Sequence, residues 1–197
     1  MPIAINGSGT VTGVSVGGLP DGIVDTDMLA ANAVTAAKRG ASAILQIVQN
    51  TTTTRLATNS TTYVASDHLV TITPVAANSK ILINCAGCVN SNGTNFRAFV
   101  DIYRSINGGT FTGIAPVGTA QTVGASNNEG FFGAIRADSS RVQAPTTIVF
   151  LDSPSYSVGN SIVYKLYARS SNSGQTIEVP ATIQSDPWIN MATEIAG

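Results

Sequence analysis

The sequence predicts an all-β fold, an antiparallel β-sandwich of jelly-roll type set behind a short Gly-rich arm. Three observations predict it. From Ala41 onward, apolar and polar residues alternate with period two in short runs. Turn residues separate the runs, at Asn92-Gly93, Asn107-Gly108-Gly109, Asn127-Asn128, Asp138-Ser139-Ser140 and Ser173-Gly174. The composition agrees: 43% of residues are hydrophobic and 11% charged, and much of the rest is Gly, Ser, Thr and Asn. Such a surface suits strands and tight turns better than solvated helices.

Taken in order, residues 1–40 form the arm. They are Gly-rich and lack aromatics, and their apolar residues are sparse: Ile23, Met28-Leu29, Val34. One chain cannot build a core from so thin a set. Three chains about a common axis can, each supplying one apolar residue per layer. A short amphipathic helix from Met28 to Lys38, capped by Thr26 or Asp27, is the competing reading of the same stretch and is compatible with a stalk. Either way the arm reads as an attachment element.

Residues 41–197 form the head. Strands are expected near 43–49, 53–57, 61–65, 68–74, 79–89, 95–105, 110–115, 118–124, 129–137, 145–152, 161–169, 175–184 and 188–195, some of them merged or absent. So many strands with no convincing helix between them mean a sandwich or barrel. Two strands say more. Phe96, Ala98, Val100 and Ile102 share one face, opposite Arg97, Phe99, Asp101 and Tyr103. Ile162, Tyr164, Leu166 and Ala168 likewise stand opposite Val163, Lys165, Tyr167 and Arg169. Aromatics mixed with isolated charges suggest a subunit interface rather than open solvent. Phe99, Tyr103, Lys165, Tyr167 and Arg169 are therefore expected at an oligomer contact, together with Ile23, Met28, Leu29 and Val34 of the arm. The run 146–151 reads as a strand covered on both faces.

Charge narrows the function. Ten Lys+Arg against eleven Asp+Glu leave a net charge of −1 and no basic cluster beyond Lys38-Arg39, which argues against nucleic acid or an anionic membrane as partner. No apolar run is long enough to span a bilayer, and the start, Met1-Pro2-Ile3-Ala4, has no signal-peptide pattern. The chain is expected to be made in a host cytosol.

Catalytic constellations are thin. The single histidine, His68, lies beside Asp67 in a predicted strand. Gly13-Val14-Ser15-Val16-Gly17 matches a nucleophile-elbow pattern, but in the arm it has no strand–turn–helix context. Cys85 and Cys88 fall three apart on one strand, on opposite faces and roughly 10 Å apart, beyond disulfide reach. The acids Asp101, Glu129, Asp138, Asp152, Glu178, Asp186 and Glu194 are scattered, with no marked pair for glycoside hydrolysis. The run Asp21 to Asp27 offers oxygens without the register of a calcium loop. Trp188, Tyr156, Phe131 and Phe132 read as packing residues, with a sugar-binding patch as the alternative. No catalytic residue, metal or cofactor is expected.

The segments Gly9-Thr10-Val11-Thr12-Gly13-Val14 through Leu19-Pro20-Asp21-Gly22, Val24-Asp25-Thr26-Asp27-Met28-Leu29-Ala30 and Asn32-Ala33-Val34-Thr35 resemble the N-terminal part of short trimeric tail-fiber-like proteins of tailed phages infecting cyanobacteria and other aquatic bacteria. Ala43-Ile44-Leu45-Gln46, Asn78-Ser79-Lys80-Ile81-Leu82-Ile83, Val163-Tyr164-Lys165-Leu166-Tyr167 and the ending Met191-Ala192-Thr193-Glu194-Ile195-Ala196-Gly197 are similar to theirs as well. The resemblance implies a virion location, a homotrimer, and a β-rich head that binds a host-surface glycan or protein while residues 1–40 join other virion proteins. Such fibers often carry a longer docking domain, so a capsid decoration or cement role stands beside a tail position. A polysaccharide hydrolase is the third, remoter reading.

Overall fold

The computed structural model describes residues 33–35, 38–93, 96–114, 133–137, 141–181 and 187–197. Among these residues there are strands and turns and no α-helix. In chain order the strands are β1 (Ile44–Thr52), β2 (Leu56–Thr58), β3 (Val64–Ile72), β4 (Lys80–Asn92), β5 (Phe96–Ile106), β6 (Thr112–Gly113), β7 (Gly133–Ala137), β8 (Arg141–Asp152), β9 (Ile162–Ser170), β10 (Thr176–Val179) and β11 (Trp188–Ile195).

Every pairing is antiparallel, and the strands sort into two sheets. The first sheet runs β1-β11-β4-β8, with β10 and β2 extending it beside the far end of β4. The second runs β3-β9-β5, and β7 and β6 share the outer edge of β5. Counting only β1, β3, β4, β5, β7, β8, β9 and β11, the first sheet holds the first, eighth, third and sixth strands. The second sheet holds the second, seventh, fourth and fifth. That winding is a jelly roll, so the fold expected from the alternation is the fold observed.

The alternation also places the core. Ile162, Tyr164, Leu166 and Ala168 of β9 and Ala98, Val100 and Ile102 of β5 point inward from the second sheet. They meet Ile81, Ile83, Cys85 and Val89 of β4 and Ile148 of β8 from the first. Trp188 is fully buried over Gly87, where a Cβ would run into the indole ring. Glycine is thus required by close approach on the neighbouring strand. Asn107 (φ 50°) and Gly108 (φ 75°) form the tight turn expected at this pair, since both central residues need positive φ.

Several expectations change. The runs 61–65 and 68–74 belong to one strand, β3, which carries a bulge between Ala65 and Leu69. Ser66 repairs the bulge: its Oγ donates to the Leu166 carbonyl at 2.7 Å and accepts from the His68 amide at 3.2 Å. The runs 53–57 and 110–115 shrink to the short β2 and β6. The run 118–124, two of the five turns, and most of the 28–38 segment lie outside the described residues.

In the single chain, 146–151 is covered on one face only. Ile148 faces the core, but Val149 is 61% exposed and Leu151 46% exposed. Register continues this face across β1, β11, β4 and β8, with Thr193 buried within it and Lys80 closing one end opposite Ile195. One row runs Ile47, Thr193, Leu82, Leu151 and the next runs Gln49, Met191, Asn84, Val149. A third runs Thr51, Ile189, Ala86, Thr147. None of the side chains in these three rows is charged.

Candidate functional site

The outer face of the second sheet differs sharply from that of the first. Register sets Phe99 opposite Arg169, Asp101 opposite Tyr167 and Tyr103 opposite Lys165. All six alternate out of the core, as the sequence implied. The structure thus brings together the five head residues singled out from β5 and β9.

The contacts form one layer. The Arg169 guanidinium stands 4.3 Å from the Phe99 ring centre and 5.2 Å from that of Tyr63, within cation–π range of both. Tyr103 and Tyr167 stack with centroids 4.0 Å apart and planes 22° from parallel. Tyr63 flanks Tyr103 at 5.8 Å, and Phe111 flanks Tyr167 at 6.1 Å. Lys165 sits 5.7 Å above the Phe111 ring.

Sequence reasoning missed Tyr63 and Phe111. The signal for Phe111 was present: the Asn107-Gly108 turn folds the chain back so that Gly113 pairs with Tyr103, laying Phe111 over this face. Tyr63 had no such marker, because it precedes β3 and reaches the cluster only through the β3–β9 pairing.

Burial divides the cluster. Phe99 is 5% exposed and Arg169 8%, so both are covered within a single chain and have little area left for a neighbouring subunit. Cation–π packing inside the chain uses much of the surface of these two residues. Tyr103, Lys165, Tyr167, Tyr63 and Phe111 remain half-open. Val34 of the arm is half exposed, whereas Ile23, Met28 and Leu29 lie outside the described residues.

Electrostatics follow from that burial. Burial pushes the Asp101 carboxyl up to about 7, and the Ile102 amide, donating to Oδ1 at 2.7 Å, only partly opposes it. Gly113 stands beside it, and a Cβ there would meet Oδ2 at 3.3 Å. Burial and the Asp101 charge keep the Tyr63 phenol protonated, against the pull of Arg169. Burial likewise raises the Tyr167 phenol. The open rim is therefore aromatic, edged by the Lys165 ammonium, and close to a carboxyl that titrates near neutrality. Ring faces of this kind pack on apolar faces of sugars or of aromatic side chains, and the ammonium adds a hydrogen-bond donor.

The other chemistry-bearing residues hold structure. His68 is fully buried, its Nε2 is 3.1 Å from the Val179 carbonyl, and its ring lies 5.7 Å from that of Trp188. Burial lowers its pKa, so the ring is neutral, while neighbouring Asp67 is exposed. Cys85 and Cys88 are both free, and burial pushes the Cys85 thiol up to about 12. Asp152 takes both of its oxygens to Arg104 at 2.7 Å and accepts from the Tyr164 hydroxyl at 2.8 Å. Glu178 binds Arg55 at 2.8 Å and Asn90 at 2.6 Å. Glu194 accepts from the amides of Val75 and Ala76 and so closes the turn between β3 and β4. Trp188 lies in the core, and the Tyr156 hydroxyl ties Ser79 to Ala76. Ser15, Phe131, Phe132 and the Asp21–Asp27 run lie outside the described residues.

Among the described residues, no group of three His, Cys, Asp or Glu side chains is placed to hold a metal ion. No helix among them is long and apolar enough to cross a membrane. No protein-family model matches the sequence, and no curated protein matches it.

Proposed function

We propose that this chain is a binding protein of a tailed-phage virion, of fiber type and without catalytic turnover. Residues 1–40 tether a homotrimer to other virion proteins, and the jelly-roll head engages a host-surface glycan or protein. The half-open cluster of Tyr103, Phe111, Lys165 and Tyr167 carries this reading, because it offers aromatic surface and a cation beside a rigid sheet. The likeness of the arm to fiber proteins supports the virion location. The structural engagement of Asp152, Glu178 and Glu194 supports binding over hydrolysis. Weak single contacts gain avidity when a trimer is repeated on a particle.

The test is adsorption. Labelled full-length protein is offered to susceptible cells and to particles stripped of it, alongside Tyr103→Ala and Tyr167→Ala. Cell binding that blocks infection, and that falls at least about tenfold in either variant, is expected, as for loss of an aromatic contact. Binding to particles alone, unchanged in both variants, refutes the receptor role and favours the decoration reading.

A further inference from the structure

We propose that His68 is an acid-sensitive latch between the two sheets, released when its second ring nitrogen takes up a proton. The latch lies within the core of the single chain and needs neither a ligand nor a partner. His68 stands on β3 of the second sheet, and its Nε2 lies 3.1 Å from the Val179 carbonyl on β10 of the first. A carbonyl only accepts, so Nε2 carries the hydrogen and Nδ1 is left as a bare lone pair. That nitrogen is buried and meets no donor among the described residues.

The surrounding layer is short of acceptors. The Trp188 ring lies 5.7 Å from the imidazole, and its Nε1 donates to Asn190 Oδ1 at 3.1 Å. Indole N–H only donates, which fixes the orientation of the Asn190 amide. Its Nδ2 is buried without an acceptor among the described residues. Asn50, in register with Asn190, reaches the Leu69 carbonyl at 2.8 Å and so sets Asn190 level with His68. A proton on Nδ1 adds another N–H with nothing to receive it, and a positive charge in the core.

The titratable groups on the neighbouring strands give that charge no partner. Asp67 is exposed on the other face of β3. Glu178 of β10 is held by Arg55 and Asn90, and Glu194 of β11 by the β3–β4 turn. Tyr164 of β9 gives its hydroxyl to Asp152, and Cys85 of β4 keeps its proton. Burial disfavours the imidazolium, and the Val179 carbonyl and the Asp67 charge only partly oppose it.

The backbone offers the ring a way out. Ser66, Asp67 and His68 stand against Leu166 alone in the β3–β9 ladder. The His68 amide donates to Ser66 Oγ at 3.2 Å instead of to a strand. On the other side of the tie, β10 has four residues and its neighbour β2 three. Release therefore frees the bulge and the β10–β2 flank, while the long β4–β8 and β5–β9 ladders stay closed. The folded ring titrates below its ordinary value of 6.5, so the unfolded chain takes the proton more readily. The latch contributes its stability above that value and loses it as pH falls.

The chain has one histidine and one tryptophan, so each reports without assignment. Proton NMR of the imidazole C2–H and emission of Trp188 are followed in the full chain from about pH 8 to about pH 5. His68→Gln, which keeps a donor for Val179 and takes up no proton, is the comparison. The ring is expected to titrate below 6.5, with Trp188 emission changing alongside. Relative to the variant, the wild-type unfolding constant in urea should rise at least about fivefold between about pH 7 and about pH 5. Hydrogen exchange, corrected for its own pH dependence, should quicken at the amides of His68 and Ala181, the latter bonded to the Cys88 carbonyl at 3.0 Å, before Ile83 and Leu166. A ring that titrates at 6.5 or above overturns the proposal, as does a ratio of unfolding constants that pH leaves unchanged. Exchange that quickens equally in all core strands overturns the latch and leaves His68 a contributor to global stability alone. Should the Gln variant not fold, the wild-type titration and exchange pattern decide the matter by themselves.

Discussion

Replacing Glu194 with Gln tests how the open end of the sandwich is closed. Glu194 is fully buried on β11 and forms no ion pair among the described residues, yet it is saturated with donors. Oε1 accepts from the amides of Val75 at 3.0 Å and Ala76 at 3.1 Å, and from the Ser79 hydroxyl at 2.8 Å. Oε2 accepts from the Gln46 amide at 2.7 Å and shares the Val75 amide at 3.0 Å. The carboxylate therefore holds the β3–β4 turn to β1 and β11. In Glu194→Gln the new carbonyl can keep the three Oε1 donors, but the new NH₂ then faces Gln46, donor against donor. Rotating the Gln46 amide does not cure the clash, because the same Nε2 also donates to the Thr73 carbonyl at 2.7 Å.

The variant thus loses one charge-assisted bond outright, at about 1.5–3 kcal/mol, and weakens three others by about 1 kcal/mol each. Relief from desolvating a buried charge offsets part of this, leaving a net loss of about 2–4 kcal/mol. Urea unfolding at fixed protein concentration reads it as a lower midpoint at unchanged slope. Hydrogen exchange should quicken at Val75 and Ala76 ahead of the core strands. A cycle with Gln46→Ala should show coupling of about 1–2 kcal/mol. A Glu194→Gln midpoint within about 0.5 kcal/mol of wild type would refute the reasoning, since that is the scatter of an uninvolved surface change.

Other predictions follow from single contacts. Gly87→Ala must displace the Trp188 ring and should cost about 1–3 kcal/mol with a shift in tryptophan emission; unchanged emission and stability would contradict the close approach. Asp101 has a folded pKa of about 7 against 3.8 in the open chain, so the native state retains a proton that the unfolded state releases. Stability therefore falls as pH rises through that window, by at most about 1.4 kcal/mol per unit. Asp101→Asn should be the more stable protein at about pH 8, with the gap closing toward about pH 4; a gap independent of pH rejects the shift. A thiol reagent should label half-buried Cys88 in the native protein and reach Cys85 only on unfolding, and equal native rates would disprove the burial argument.

Side-chain direction is legible in the sequence where it follows from immediate neighbours, and illegible where it depends on distant partners. β9 and β5 alternate strictly, so local pattern alone sets Tyr167 and Arg169 outward, and Leu166 and Ala168 inward. β3 breaks the pattern because Ser66 and His68 face inward; two polar residues in core positions make one strand look like two. Their inward place makes sense only with the Leu166 and Val179 carbonyls, which lie 100 and 111 residues away. Glu194 is the same case, since its donors at Val75, Ala76 and Ser79 are 115 to 119 residues distant. Without them it resembles any other scattered acid.

β8 shows the reverse limit. Ile148-Val149-Phe150-Leu151 is a continuous apolar run, and local pattern cannot tell a strand covered on both sides from one with a face left open. Pairing to β4 turns Ile148 into the core and leaves Val149 and Leu151 outside. The run's apolar character then requires another cause. If copies of the chain cover Val149 and Leu151, the doubly covered strand expected from sequence becomes correct for the assembly though not for the chain. Replacing both Val149 and Leu151 with lysine, read by urea unfolding and by light-scattering mass, therefore decides whether the apolar run in β8 serves folding or association.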